Sequence, residues 1–305
     1  MRKWFKIVFW TLLLAGGVVL CAVRWQAWFG MPPEPKWTGD TLHYTMPRPL
    51  TPNPLTTNPL TILILGDIHN HLTRADYDTL AARVPDVDVI AQTGDWLDRG
   101  QDYYYQLLLR EWTASALYGK PVIVCPGNHE YSKGLHKTLS PVWQEAFGDE
   151  ANYYIDFPAM RFIVIDTNPL VRLVNITRTL TWLREAMYTA GDRYIVVMMH
   201  HPVLSPGKGR FNPLIYAAFR HALGEADLVL AGHDHSYMRH TPFVVLNTAG
   251  KPKPQYIGFP VDATDTVPVY GVLHSPLNIQ HSTLQFTVHR LDDGAQIDSL
   301  YVSHD

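Results

Sequence analysis

Cysteine is scarce in this sequence, which has two in 305 residues. Cys21 lies in an apolar N-terminal stretch and Cys125 ends a predicted buried strand, so no disulfide framework is predicted. Positive charge is not in excess either, because the formal net charge is -3 at pH 7. A polybasic surface for nucleic acid is therefore not expected. Histidine, by contrast, is frequent, and its 15 copies indicate metal or acid–base chemistry.

Charge is absent from residues 7–23, which Lys6 and Arg24 bracket. Aromatic residues at both ends extend this apolar stretch, so residues 1–29 are predicted to form a cytoplasmic N-terminus and a transmembrane helix. Basic residues are more numerous before the helix than after it, which predicts that the remainder lies outside the cytoplasm (periplasmic in a Gram-negative bacterium). A cleaved signal peptide is the alternative, although no small-x-small cleavage site follows the apolar run.

Regular structure is disfavoured in residues 30–59, where eight prolines predict an extended linker. Residues 60–305 are predicted to form one domain in which short β-rich runs alternate with helical segments. Such alternation favours a largely parallel sheet, with ligands at its carboxyl edge. Residues 250–268 are a long predicted insertion, of a kind that often serves as a lid. The helical segments include Thr73–Val84, with Thr73 as N-cap, Tyr103–Tyr118 and Leu135–Phe147.

Polar side chains follow five of the β-rich runs, at the point where each run ends. The first run contains the apolar stretch Ile62–Leu65, which is typical of a strand buried on both faces. In an extended stretch, the Asp67 and His69 that follow it would point the same way. The pattern recurs at four more strand ends, so we expect these side chains to meet in one crevice. The residues at the five ends are Asp67, His69, Asp95, Asn128, His200, His233 and His235.

Thiolate is missing from this set of seven residues, which offers two carboxylates, one amide and four imidazoles. Oxygen and nitrogen ligands of this kind suit Mn, Fe or Zn better than Cu(I) or Ca. Seven ligands exceed the number that one such ion takes. The set therefore predicts two metal ions about 3.5–4 Å apart, with one bridging carboxylate. No residues are predicted to bind any other cofactor.

Five sequence blocks resemble, in this order, those of the calcineurin-like metallophosphoesterase superfamily, over roughly residues 60–239. The resemblance implies an α/β fold, a four-layer α-β-β-α sandwich of two mixed sheets, here preceded by the transmembrane helix. It implies that Asp67, His69 and His235 hold one metal ion. Asn128, His200 and His233 would hold the other, with Asp95 bridging. The blocks are Gly66-Asp67-Ile68-His69, Gly94-Asp95, Gly127-Asn128-His129-Glu130, His200-His201-Pro202 and Gly232-His233-Asp234-His235.

The resemblance also implies a mechanism, in which a metal-bridging hydroxide hydrolyses a phosphate mono- or diester and His129 stabilises or protonates the leaving oxygen. The second block is similar to that of the Ser/Thr phosphoprotein phosphatase branch. By that similarity, Asp98 would orient His129, and Arg99 would contact the phosphate. A local salt bridge between Asp98 and Arg99 is the alternative for both residues. Of His200 and His201, the first is the predicted ligand, because the side chains of a strand alternate.

The predicted activity is that of a membrane-anchored, metal-dependent phosphoric ester hydrolase acting on a small-molecule or lipid-linked phosphate ester. One alternative is a Ser/Thr phosphoprotein phosphatase-like activity. Another is a catalytically inactive, membrane-tethered binding protein on the same scaffold. The region after Asp166 lacks the substrate-groove blocks of the phosphoprotein phosphatases, and the filled ligand positions argue against an inactive protein.

Overall fold

The computed structural model describes residues 59–132, 138–148, 150–205, 213–255, 259–277 and 282–304. The predicted anchor, residues 1–29, lies outside this part of the chain, as does the linker except for its last residue. Within the described part, no helix combines the length and the apolar character that a membrane crossing needs.

Strands and helices alternate through the first two thirds of the described chain, and strands dominate the last third. The α-helices are α1 (Arg74–Arg83), α2 (Asp102–Thr113), α3 (Pro141–Phe147), α4 (Ile176–Tyr188) and α5 (Pro213–Leu223). The strands are β1 (Leu60–Leu65), β2 (Val89–Gln92), β3 (Val122–Val124), β4 (Tyr153–Asp156), β5 (Met160–Ile165), β6 (Tyr194–Met199), β7 (Leu228–Ala231), β8 (Tyr237–His240), β9 (Phe243–Val245), β10 (Ala263–Asp265), β11 (Val269–Ser275), β12 (Leu284–Arg290) and β13 (Gln296–Val302).

The strands form two mixed sheets rather than the largely parallel sheet that the alternation alone predicts. The first sheet has the order β13-β12-β11-β1-β2-β3, and its strands β1, β2 and β3 are parallel. The second has the order β10-β8-β9-β7-β6-β5-β4, with a parallel centre formed by β5, β6, β7 and β9. The parallel strands of both sheets carry the predicted ligands at their carboxyl ends.

The two sheets pack face to face, and helices cover their outer faces. Ile62 and Ile64 of β1 share one core cluster with Phe162, Val196 and Leu230 of the second sheet. A second cluster joins the other face of the first sheet to α1, α2 and α3, and a third joins the second sheet to α4 and α5. Every residue of β1 is buried, as its apolar run predicts. The α-β-β-α layering predicted from the family resemblance is what these three clusters show.

The sequence predicts the start of α1 correctly, but it misplaces the start of α3 and the end of α2. Thr73 caps α1 in a capping box with Asp76, which confirms the predicted N-cap. The third helix is shorter than predicted, because Leu139 pairs with Tyr131 in a β-bridge and the helix begins only at Pro141. Ser140 caps it by accepting a hydrogen bond from the Trp143 amide. The second helix also ends early, at Thr113 rather than Tyr118.

Candidate metal centre

Most of the predicted metal ligands lie on tight turns with unusual backbone conformation. The backbone φ angle is positive at Asp67 (50°), His69 (50°), Asp95 (55°), His233 (73°) and His235 (51°). For residues other than glycine this region costs roughly 1–2 kcal/mol each, and such strain concentrates at functional sites. The prediction that Asp67 and His69 point the same way assumed an extended chain after β1. The chain forms a turn there instead, yet both side chains reach the same site.

Two glycines allow the loops to approach each other closely. A Cβ atom on Gly127 would lie 2.1 Å from the Asp95 carboxylate, and one on Gly94 would lie 2.5 Å from His200 Nδ1. Gly94 also has a φ of 104°, which side chains rarely tolerate. Hydrogen bonds then join the first two loops: the Asp67 amide donates to the Gly94 carbonyl at 3.1 Å.

Asp95 lies at the centre of the predicted ligand set. Its Oδ2 atom is 3.3 Å from His200 Nε2, 3.7 Å from His69 Nε2 and 3.9 Å from His129 Nε2. The carboxylate is buried, and its Oδ1 atom accepts a hydrogen bond from the His129 amide at 2.8 Å. One carboxylate oxygen thus lies within 4 Å of ring nitrogens from both predicted ligand groups, as a bridging ligand requires.

The residues predicted to hold the first metal ion lie close to Asp95 and to one another. His235 Nε2 lies 3.7 Å from Asp67 Oδ1, and His69 Nε2 lies 4.0 Å from the same oxygen. The Nε2 atoms of His69 and His235 are 3.1 Å apart. One ligand atom from each of Asp67, His69, Asp95 and His235 fits within a space 4.8 Å across.

The residues predicted to hold the second metal ion meet at His200. His200 Nε2 is 3.2 Å from Asn128 Oδ1 and 3.2 Å from His233 Nδ1. The neighbouring His201 lies against His233, with ring centroids 4.5 Å apart, and its Nδ1 pairs with Thr167 Oγ1 at 2.8 Å. His200 Nε2 contacts Asp95, and His201 offers a further ring nitrogen within 4.8 Å of those of His200 and His233. The structure thus brings together the seven residues that the sequence singled out, with His201 beside them.

The tautomers of two histidines can be read from their hydrogen bonds. His235 Nδ1 donates to the Lys251 carbonyl at 2.9 Å, and His200 Nδ1 donates to the Thr93 carbonyl at 3.0 Å. In the neutral rings the lone pair is therefore on Nε2, which faces the other predicted ligands. Metal-binding histidines commonly show this arrangement, in which the second ring nitrogen donates to a carbonyl or carboxylate. Within the described chain the buried Asp67 Oδ2 has no hydrogen-bond partner. Inward lone pairs and an unpartnered carboxylate oxygen fit divalent cations.

Burial and mutual charge displace the pKa values of these groups. Burial lowers the pKa of His69 to about 3 and that of His235 to about 4, which keeps both rings neutral and able to bind a cation. Burial raises the pKa of Asp67, although the charge of His200 opposes this. Burial lowers the pKa of His200, but the Asp95 charge outweighs it and raises that pKa to about 9. A bound cation would displace this proton.

Asp98 contacts His129 through its backbone, because His129 Nδ1 donates to the Asp98 carbonyl. An Asp98 carboxylate oxygen lies within 4.8 Å of a His129 ring nitrogen, and its predicted orienting role stays a prediction. That carboxylate lies 3.9 Å from Arg99 Nε on a half-exposed turn, as in the salt-bridge alternative. The Arg99 guanidinium lies 6.0 Å from the centre of the Tyr104 ring. Its predicted contact with phosphate stays a prediction.

Sequence reasoning missed three residues at the site. Lys251 and Lys253 line the same cavity as His129, His69 and His235, and Lys253 Nζ donates to the His233 carbonyl at 3.1 Å. The sequence offered one signal for both lysines, which is that they lie in the predicted insertion, residues 250–268, after the last ligand block. The third is Glu130, whose buried carboxylate accepts hydrogen bonds from the amides of Asp95, Leu97 and Gly127 at 2.9, 2.9 and 2.7 Å.

Known proteins resemble this chain in sequence and in fold. The curated glycerophosphodiester phosphodiesterase GpdQ of Enterobacter lignolyticus is 29% identical over 131 residues, which are 42% of this chain and 46% of that protein. The match thus spans less than half of the relative's length.

Solved structures with less than 16% sequence identity share the fold alone. A purple acid phosphatase from yellow lupin has a TM-score of 0.62 at 13% identity over 81% of this chain and 54% of its own. GAP50 of Plasmodium has a TM-score of 0.59 at 15% identity over 80% and 89%. A dimetal phosphatase from Danio rerio has a TM-score of 0.54 at 13% identity over 81% and 100%.

A family profile gives the assignment. The profile described as calcineurin-like phosphoesterase matches residues 60–237, which run from β1 to the start of β8 and include all seven predicted ligands. Because this match covers more than half of the chain, the protein belongs to the calcineurin-like phosphoesterase family.

Proposed function

We propose that this protein is a metal-dependent phosphoric ester hydrolase that cleaves a phosphate mono- or diester at a site for two metal ions. The observation that carries the proposal is the convergence on Asp95 of two groups of side chains. Asp67, His69 and His235 form one group, and Asn128, His200 and His233 form the other. The name of the bacterial relative, a phosphodiesterase, supports phosphoester hydrolysis.

Two ions fit the donor set better than one. One group reaches Asp95 through His69 and the other through His200, and together they offer carboxylate, amide and imidazole ligands. Such ligands suit Mn, Fe or Zn. When bound, the ions would lower the pKa of a water molecule held between them and neutralise charge on the phosphoryl oxygens.

The side chains around the ligands have distinct tasks in this proposal. His129 Nδ1 donates to the Asp98 carbonyl, so the proton that the ring can give or take at the reacting group is on Nε2. That atom faces the cavity in which Lys251 and Lys253 also lie, and it can protonate the leaving oxygen. The two lysines add positive charge where an anionic substrate enters.

Chelation should separate this proposal from an inactive scaffold. We expect purified protein to contain about two equivalents of Mn, Fe or Zn, and EDTA to reduce hydrolysis of p-nitrophenyl phosphate or its bis ester at least about 100-fold. Adding the three metals back in turn should restore activity. Metal analysis and the two colorimetric assays test this together. Full activity in metal-free protein, or metal without hydrolysis of any ester, would contradict it, and activity confined to phosphopeptides would favour the phosphoprotein phosphatase alternative.

The membrane anchor is part of the same proposal and rests on the sequence of residues 1–29. We infer a single-pass protein whose N-terminus is cytoplasmic and whose domain faces away from the cytoplasm, near lipid-linked phosphate esters. The full chain should stay with membranes after a high-salt wash, whereas residues 30–305 alone should be released. Protease added to intact spheroplasts should digest the domain. A full-length chain found in the wash would contradict the anchor.

A further inference from the structure

Two cavities open at the metal centre and share two of its residues. One has a volume of about 370 Å³ and the other about 270 Å³, and Asn128 and His233 line both. A phosphoryl group held at these two residues would therefore border both cavities.

The walls of the two cavities differ in chemistry. The first, which we call the lysine cavity, is lined by Lys251 and Lys253 and by His71, Asp98 and His129, besides the predicted metal ligands. The second, which we call the arginine cavity, is lined by Tyr131, Asn168, Val171, Arg172 and His201, together with the shared pair.

We propose that the arginine cavity binds the ester substituent that stays on phosphorus. The substrate is then a phosphodiester with one of its two ester substituents, which we call arms, in each cavity. The proposal rests on the hydrolase activity proposed above and names its substrate class. A monoester has one arm and would use one cavity. A diester has two, and the shared Asn128 and His233 place its phosphorus between them.

The position of His129 decides which arm leaves. This residue lines the lysine cavity, so the oxygen that it can protonate belongs to the arm in that cavity. The water oxygen forms a bond to phosphorus, and the bond from phosphorus to that ester oxygen breaks with its electron pair. The leaving oxygen ends as an alcohol with one proton of the water, and the other arm stays on the phosphomonoester product in the arginine cavity.

The arginine cavity has walls that hydrogen bonds hold in place. The Tyr131 hydroxyl donates to Asp166, and Asn168 Nδ2 donates to the carbonyls of Pro126 and Gly127 at 3.0 and 3.2 Å. The Arg172 guanidinium lies 5.6 Å from the centre of the Tyr131 ring, and its Nε donates to the Asn168 carbonyl. An aromatic face, an apolar Val171 and a cation suit an aryl-sized arm that is partly apolar or carries negative charge.

A bulky side chain at Val171 tests the proposal. We expect full-length Val171→Trp to lower the ratio of kcat/KM for bis(p-nitrophenyl) phosphate to that for p-nitrophenyl phosphate at least about tenfold, because the indole fills the cavity that the second arm needs. The matched control is Val174→Trp, on the same turn but exposed, which should keep the wild-type ratio. Val171→Met should lower the ratio about threefold, which keeps the test informative if the tryptophan variant does not fold.

Binding of two non-hydrolysable anions provides a second readout. Diphenylphosphinate has two arms and phenylphosphonate has one. By calorimetry, Val171→Trp should weaken the first relative to the second about tenfold. Equal effects on both anions and both substrates would overturn the two-arm assignment while leaving the hydrolase proposal intact. A wild-type protein that hydrolyses neither ester would instead defeat the proposed function.

Discussion

Replacing Asp95 by asparagine is expected to reduce kcat/KM for both p-nitrophenyl esters at least about 1,000-fold, a loss of about 4 kcal/mol of transition-state stabilisation. The same change should lower the metal content. The reason is electrostatic, because Asp95 Oδ2 faces the Nε2 atoms of His69 and His200 at 3.7 and 3.3 Å. A neutral amide in that place cannot offset the charge of two cations.

The fold around Asp95 should survive this substitution. Its Oδ1 atom accepts a hydrogen bond from the His129 amide at 2.8 Å, and an asparagine carbonyl can accept the same bond. Asparagine also has nearly the shape of aspartate, so no cavity forms. We therefore expect the circular dichroism spectrum of Asp95→Asn to match that of the wild type.

The experiment combines colorimetric kinetics with elemental analysis of the purified variant. The matched control is Asp192→Asn, because Asp192 is exposed and precedes β6 at the end of the strand opposite to the metal centre. It should keep normal activity and metal content. Near-normal hydrolysis by Asp95→Asn would exclude Asp95 as the bridging ligand and, with it, the two-metal proposal.

Truncating Glu130 to alanine should give the largest loss of stability, about 3 kcal/mol or more. Its buried carboxylate accepts hydrogen bonds from the amides of Asp95, Leu97 and Gly127, and alanine leaves all three donors without this partner. A buried donor left unsatisfied costs about 1–3 kcal/mol. The same bonds join the turn of Asp95 to the turn that precedes Asn128, so metal affinity should fall as well.

Urea unfolding of metal-free protein measures the first effect without the contribution of bound ions. Glu130→Gln should lose less stability than Glu130→Ala, because the glutamine carbonyl oxygen can still accept hydrogen bonds from some of the three amides. Glu145→Ala, an exposed change in α3, is the control and should stay within about 0.5 kcal/mol of the wild type. A Glu130→Ala variant as stable as that control would show that the carboxylate does not hold the turns.

The sequence singled out seven residues that the structure brings close together, because two local signals coincide at each of them. A short apolar run predicts a buried strand, and a polar residue directly after it must lie at the strand's carboxyl end. Parallel strands of one sheet bring those ends to the same edge. His200, which follows β6 of the second sheet, lies 3.3 Å from Asp95, which follows β2 of the first, because the two sheets pack face to face.

Other features depend on contacts that a one-dimensional pattern does not contain. The group that fixes His129 is the backbone carbonyl of Asp98, and every residue has a carbonyl, so the side-chain pattern favoured the carboxylate. Lys251 and Lys253 reach the site because the loop after β9 returns to it. The start of α3 was misplaced because the β-bridge at Leu139 pairs it with a residue outside the helix.

The division of the ligands between two sheets has a mechanical consequence. Asp67, Asp95 and Asn128 follow strands of one sheet, whereas His200, His233 and His235 follow two strands of the other. A cation held by members of both groups would cross-link the two sheets at the carboxyl ends of these strands. Without it, hydrogen bonds such as that from the His233 amide to Asp67 Oδ1 would join the loops there, so metal occupancy and rigidity of the sandwich would be coupled.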